Sequence, residues 1–159
     1  MASVEFSVED EREIRDLVVR YADAISRAEA AALKGFWAED CRLELVGLAG
    51  PVKEIAGRDT VVAYQDEHMD RYSSLLQLVG QGLVLGGADG GATGRWIVWE
   101  IGHTRGAEQD RMGVVCYLDR YVRENGRWLI AERRLSVHYH AEAVATGTFS
   151  PLPPPPPEA

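Results

Sequence analysis

The residues that combine a reactive group with an apolar setting fall into a few short stretches. Glu100 ends the alternating run "GRWIVWEIG". Its own face carries Trp96 and Val98, and the opposite face carries the equally apolar Ile97, Trp99 and Ile101. A carboxyl drawn into such surroundings is desolvated, its pKa rises, and it becomes a candidate general acid or base. Arg133 lies in "ERR", with Arg134 pointing the other way if the segment is a strand. Its guanidinium could hold a carboxylate, polarise an oxygen or pair with Glu100. Tyr21 is an amphipathic phenol on an apolar helix face, and His68 is an imidazole on a later one. His138 and His140 in "HYH" have the spacing of a two-histidine metal site. No third ligand lies close in sequence, so no metal is expected. His103 borders the polar loop "TRGAEQD" and is expected to be solvated. Without a glycine-rich phosphate cradle or a Gly-x-Ser-x-Gly elbow, nucleotide binding and acyl-serine chemistry are disfavoured.

The chain has 159 residues, enough for one domain with a real core. A formal net charge of −8 gives no cationic footprint for phosphates, so neither nucleic acid nor an anionic membrane surface is an expected partner. The start, "MASVEFSVEDERE", has no apolar h-region, and no apolar run approaches roughly 18 residues. Cys41 and Cys116 are far apart and read as buried free thiols, which makes the cytoplasm the expected compartment.

Positioning these groups requires a scaffold, and the pattern supplies one. "SVED" is a capping signature for a helix over about 8–25, whose apolar face holds Ile14, Leu17, Val18, Tyr21, Ala22 and Ile25. Ser26 and Glu29 repeat the Ser-x-x-Glu pattern, which predicts Ser26 as N-cap of a second helix over about 27–37. "CRLELVG" alternates as a strand, "LAGP" reads as a turn and "VKEIAG" as a short return strand. A third helix is expected over about 59–72. Then come long strands: "LLQLVGQGLVL", bent at Gly80 and Gly82, "TGRWIVWEIGH", and two more joined by Asn125-Gly126, a strong hairpin signal. The order predicts an α+β fold with helices packed against a curved, mixed or antiparallel sheet, whose open end forms a small-molecule pocket. The domain is placed at 1–143, and the proline-rich tail at 144–159 is expected to be extended and coreless.

In "VVRYADAISRAEAAALKGFWAEDCRLEL", "AGRDTVVAY", "GATGRWIVWE" and "GVVCYLDRYVRENGRWLIAERR", the chain resembles the SnoaL-like group of the nuclear transport factor 2-like superfamily. The resemblance spans about 8–140, in consistent order. It is nearest to the branch with scytalone dehydratase, bile acid 7α-dehydratase and hexachlorocyclohexane dehydrochlorinase. That resemblance implies a cone-shaped α+β barrel and cofactor-free chemistry on apolar cyclic compounds. It turns Trp96, Val98 and Glu100 inward. It places the branch's catalytic aspartate at Ser26 and its histidine at Gln77, neither of which can titrate in that role. It also places Tyr21 at a tyrosine donor, Arg133 at a pocket arginine and Tyr117 at a pocket aromatic.

The expectation is therefore a lyase, isomerase or cyclase acting through Glu100, Arg133 and Tyr21. Gln77 would donate a neutral hydrogen bond, and Ser26, Trp37, Leu43, Tyr64, His68, Trp96, Val98 and Tyr117 would complete the binding wall. The alternative is a non-catalytic binding or oligomeric interaction module of the same fold. Trp99 and Ile101 beside Val114 and Cys116 predict an apolar outer face, and with it a homodimer or homotrimer.

Overall fold

The computed structural model describes residues 6–47, 51–142 and 147–153. The first helix, α1 (Val8–Ser26), begins with the expected capping box. Ser7 Oγ accepts the Asp10 N–H at 3.1 Å, and the Asp10 carboxylate accepts the Ser7 N–H at 2.8 Å. Asp10 also accepts from Arg123 at 2.6 Å and from the Trp128 indole at 3.1 Å, which ties the start of α1 to the last hairpin. The Ser7 hydrogen bonds, followed by Trp128 and the Arg123 charge, hold its carboxyl below the ordinary value.

The end of α1 differs from the expected capping box. Ala28 adopts a left-handed conformation with φ of 55°. The Glu29 N–H bonds the Ala24 carbonyl at 2.9 Å and the Ala28 N–H bonds the Ile25 carbonyl at 3.1 Å. This is a Schellman closure, and it consumes the Glu29 N–H that a Ser26 cap would have needed. Ser26 is the last helical residue instead. The expected helix over 27–37 shrinks to α2 (Ala30–Leu33) and one 3₁₀ turn (Lys34–Phe36), with no side-chain cap at Glu29.

One short-range strand pair follows, β1 (Trp37–Val46) with β2 (Lys53–Ala56), and then a helix, α3 (Arg58–Asp70). The expected turn at "LAGP" falls largely outside the described residues. The long strands are β3 (Tyr72–Gly86), β4 (Ala92–Thr104), β5 (Arg111–Glu124) and β6 (Arg127–Glu142). Asn125 and Gly126 both have positive φ, 51° and 78°, as a two-residue hairpin turn of matching twist requires. The sheet order is β2-β1-β6-β5-β4-β3, antiparallel except for the β1–β6 pair, which is parallel. It is thus mixed and open: β2 and β3 are edges, and the barrel implied by the resemblance does not close.

The register breaks between Val79 and Gly82 on β3, where the glycines predicted a bend. A Cβ on Gly82 would lie 2.1 Å from the Trp96 ring, so glycine is what lets that indole lie flat across the bend. The curved inner face receives α1 through Ile14, Leu17, Val18, Tyr21 and Ile25, all buried. Burial of each such side chain is worth about 1.5–3 kcal/mol. Residues 147–153 have no regular structure, and the Gly147 N–H bonds the Asp110 carboxylate at 2.9 Å. Phe149 to Leu152 line a groove with Ile25, Met69 and Leu76, and Arg27 donates to the Pro153 carbonyl.

Candidate active site

Alternation places Gln77 on β3, Glu100 on β4 and Tyr117 on β5 on the inner face, with Gln77 directly opposite Glu100 in the ladder. Helix α3 closes the other side through Tyr64, Gln65 and His68. The cavity between them is open on one side and has a volume of about 220 Å³. It is walled by aliphatic side chains such as Leu43, Leu45, Val115 and Leu135. This is smaller than the usual pocket for a drug-sized ligand, and so fits one or two rings.

The polar groups form one connected set. Gln77 Nε2 donates to Glu100 Oε1 at 2.7 Å and to the Tyr117 hydroxyl at 3.0 Å. Both amide protons are therefore committed. The Gln77 Oε1 atom is buried and has no partner, so what Gln77 offers a ligand is an acceptor rather than the expected donor. Burial raises the Glu100 pKa, while the Gln77 hydrogen bond and the Arg111 charge work against it without cancelling it. His68 moves the other way: burial, then the charges of Arg71 and Arg111, lower its pKa. Its ring stacks on Tyr64 and tilts against Tyr72. One cavity thus holds a carboxyl biased toward its acid form and an imidazole biased toward its base form.

Ser26 and Gln77, the positions where the resemblance puts an aspartate and a histidine, do meet in space. The contact is backbone to side chain. The Gln77 N–H donates to Ser26 Oγ at 2.9 Å, and that hydroxyl donates to the Ala22 carbonyl at 2.8 Å. Ser26 pins β3 to the end of α1 and faces the neighbouring groove, not the cavity.

Other expected site residues stand behind the wall. Arg133 is 1% exposed and forms a two-pronged bond with Asp119, at 2.8 Å and 2.7 Å. Its guanidinium lies 4.0 Å from the Tyr117 ring centre and 4.4 Å from that of Tyr21. Arg133 does not pair with Glu100, and its remaining Nη1 is buried without a partner. Trp37 donates to Gln65, which donates to the Tyr21 hydroxyl. Trp96 donates to the Tyr121 hydroxyl at 2.8 Å, and Val98 is fully buried; neither lines the cavity. Tyr21, Leu43, Tyr64, His68, Gln77, Glu100 and Tyr117 do line it. Sequence reasoning missed Arg111, Tyr72 and Gln65. An apolar face period cannot flag a polar inward residue, although Arg111 shares strand parity with Tyr117. In "HYH", a register shift between Val137 and Tyr139 interrupts the face alternation on which the two-histidine reading depended. Burial pushes the Cys41 thiol up to about 11, so it is no nucleophile at neutral pH.

The model of the SnoaL-like domain family matches residues 7–134. The chain belongs to this family. Among solved structures, this SnoaL-like domain is similar to the type-3 hexachlorocyclohexane dehydrochlorinase LinA of Novosphingobium barchaimii. The TM-score is 0.75 at 15% identity, covering 90% of this chain and 97% of that one. It is also similar to ActVI-ORFA of Streptomyces coelicolor, with TM-score 0.66 and 13% identity, over 80% and 96% of the two chains. A Mycobacterium tuberculosis protein of unknown function reaches 27% identity and TM-score 0.68, over 82% and 77%. Comparison with curated protein sequences gives no match.

Proposed function

We propose that this SnoaL-like domain is a cofactor-free acid–base enzyme of lyase or isomerase type, acting on a small apolar cyclic molecule bearing oxygen. The observation that carries the reading is the pairing of Glu100 and His68 in one apolar cavity, with burial pushing their pKa values in opposite directions. In an elimination, neutral His68 takes the proton from carbon, and that C–H electron pair becomes the new double bond. Protonated Glu100 gives its proton to the departing hydroxyl, the C–O bond breaks, and water leaves. The buried Gln77 Oε1 accepts from a second substrate hydroxyl. The dehydrochlorinase named among the similar structures is consistent with eliminations in this fold.

A panel of hydroxylated cyclic ketones tests this. Glu100→Gln should retain binding and lose about 10²–10⁴-fold in kcat. Full activity in that variant would remove Glu100 from the chemistry. Binding with no turnover by the native chain would favour the non-catalytic module. That second reading draws on Ser26 and Gln77, which fill the dyad positions with groups that cannot titrate.

Assembly belongs to the same proposal. The outer sheet face exposes Leu78, Trp99, Leu118 and Tyr139, each about half exposed in the single chain. A second copy seated there would cover an apolar patch that water disfavours. Light scattering at micromolar concentration should give a dimer, and Trp99→Glu should shift it to monomer. A monomeric native chain would refute the interface. The two buried free thiols fit a reducing compartment.

A further inference from the structure

Arg111 begins β5 with its side chain on the inner face, and it lines the same cavity as Glu100. Most of the arginines that are wholly or partly buried have a carboxylate: Arg15 has Glu11, Arg27 has Asp23 and Arg133 has Asp119. Arg111 has none among the described residues. Its bond is from Nη1 to the Tyr72 hydroxyl at 2.7 Å, with its guanidinium 5.5 Å from that ring's centre. This contact fixes the fork and leaves most of its five N–H donors unspent. Among the described residues no Arg111 nitrogen is buried without a partner, so these donors are reachable from the cavity and free to meet a ligand anion.

The ladder places this cation beside the acid. Glu100 pairs with Gly113 and Gly102 pairs with Arg111, so Glu100 and Arg111 are diagonal neighbours on one face. The other two corners of the square are glycines. A Cβ on Gly102 would meet Tyr72 and Leu75 at 3.0–3.1 Å, so that corner is filled. A Cβ on Gly113 would make only ordinary contact with the Tyr139 carbonyl, at 3.5 Å, so that corner is less crowded. The carboxyl and the guanidinium flank this corner, and Gln77 rather than Arg111 holds the Glu100 carboxyl.

From this we infer that the cavity takes a cyclic carboxylic acid, whose carboxylate docks on Arg111 while its ring lies over Gly113 toward Glu100. The inference rests on the reading of this cavity as the substrate site. Arg111 and carboxylate form the fork-to-fork pair that a lysine or a neutral donor cannot copy. The Tyr72 hydroxyl, which accepts from Arg111, keeps its own proton to give the same anion.

Calorimetric titration with benzoate and methyl benzoate tests the assignment on the intact chain. Benzoate should bind at least about tenfold more tightly than its ester, the difference a charged hydrogen bond makes. Arg111→Gln should lose most of the benzoate affinity and leave the ester unchanged. Should that variant fail to fold by circular dichroism, Arg111→Lys keeps the charge without the fork and should weaken benzoate severalfold. Equal binding of acid and ester overturns the inference, as does undiminished benzoate binding by Arg111→Gln or absence of benzoate binding at millimolar concentration. Tighter binding of 4-nitrophenolate than of benzoate overturns the carboxylate assignment. Failure of the parent reading looks different: benzoate held through Arg111, but no turnover of any cyclic hydroxy acid or ketone.

Discussion

Two arginines on neighbouring strands divide the molecule into a closed end and a mouth. At the closed end, Arg133 spends its fork on Asp119 and its flat faces on Tyr117 and Tyr21. Asp119 also accepts from the Tyr121 hydroxyl at 2.6 Å. At the mouth, Arg111 has a phenol for a partner and lines the cavity. The residue type is the same, and the available partners decide the role. A guanidinium paired with a carboxylate in the core holds the fold together, while one without a carboxylate in a cavity is free to take a ligand's.

The largest effect should come from breaking the closed end. Asp119→Ala leaves Arg133 charged and unpaired at zero side-chain exposure, so urea unfolding should report a loss of about 3–5 kcal/mol. A loss under about 1 kcal/mol would mean that the pair is not the rivet described here.

At the mouth, pH should act on rate and stability together. Neutral His68 and protonated Glu100 form the active pair, so kcat/KM should rise as His68 loses its proton and fall as Glu100 loses its own. Glu100→Gln should remove the alkaline limb. For stability, Glu100 has the sign opposite to that of a paired carboxylate and His68 has the same sign. Burial raises the folded Glu100 pKa, so the chain should lose stability as pH rises from the ordinary glutamate value, about 4.5, toward the raised one. Burial lowers His68, so stability should fall as pH drops below about 6.5. Thermal melts of the native chain and of Glu100→Gln separate the two, since only the variant lacks the first effect.

The smallest effect lies between the two regions. Ser26→Ala removes the acceptor for the Gln77 N–H and should cost about 1 kcal/mol by chemical denaturation. It should leave benzoate binding unchanged, because Ser26 does not face the cavity. A change in binding would return Ser26 to the site.

Local rules fixed much of this in advance. The "SVED" cap, the apolar face of α1, the glycine bend in β3 and the Asn125-Gly126 turn depend on residues near in sequence, so they could be read from spacing. The inward parity of Glu100 could not, since both faces of its strand are apolar and only the family resemblance turned it inward. Ser26 shows where such reading stops. Its Ser-x-x-Glu pattern was present, yet the Schellman closure took the Glu29 N–H and a strand 51 residues away took the serine hydroxyl. The sequence by itself determined the kind of fold, its elements and a list of groups able to do chemistry. The tertiary structure alone decided which of those groups were already answered. Whether Arg133 meets Asp119 or Glu100, and whether Arg111 meets anything charged, depends on strand register and on which side chains fill each corner. No local pattern encodes that choice, because the competing partners lie on different strands and differ in free energy only once both are removed from water.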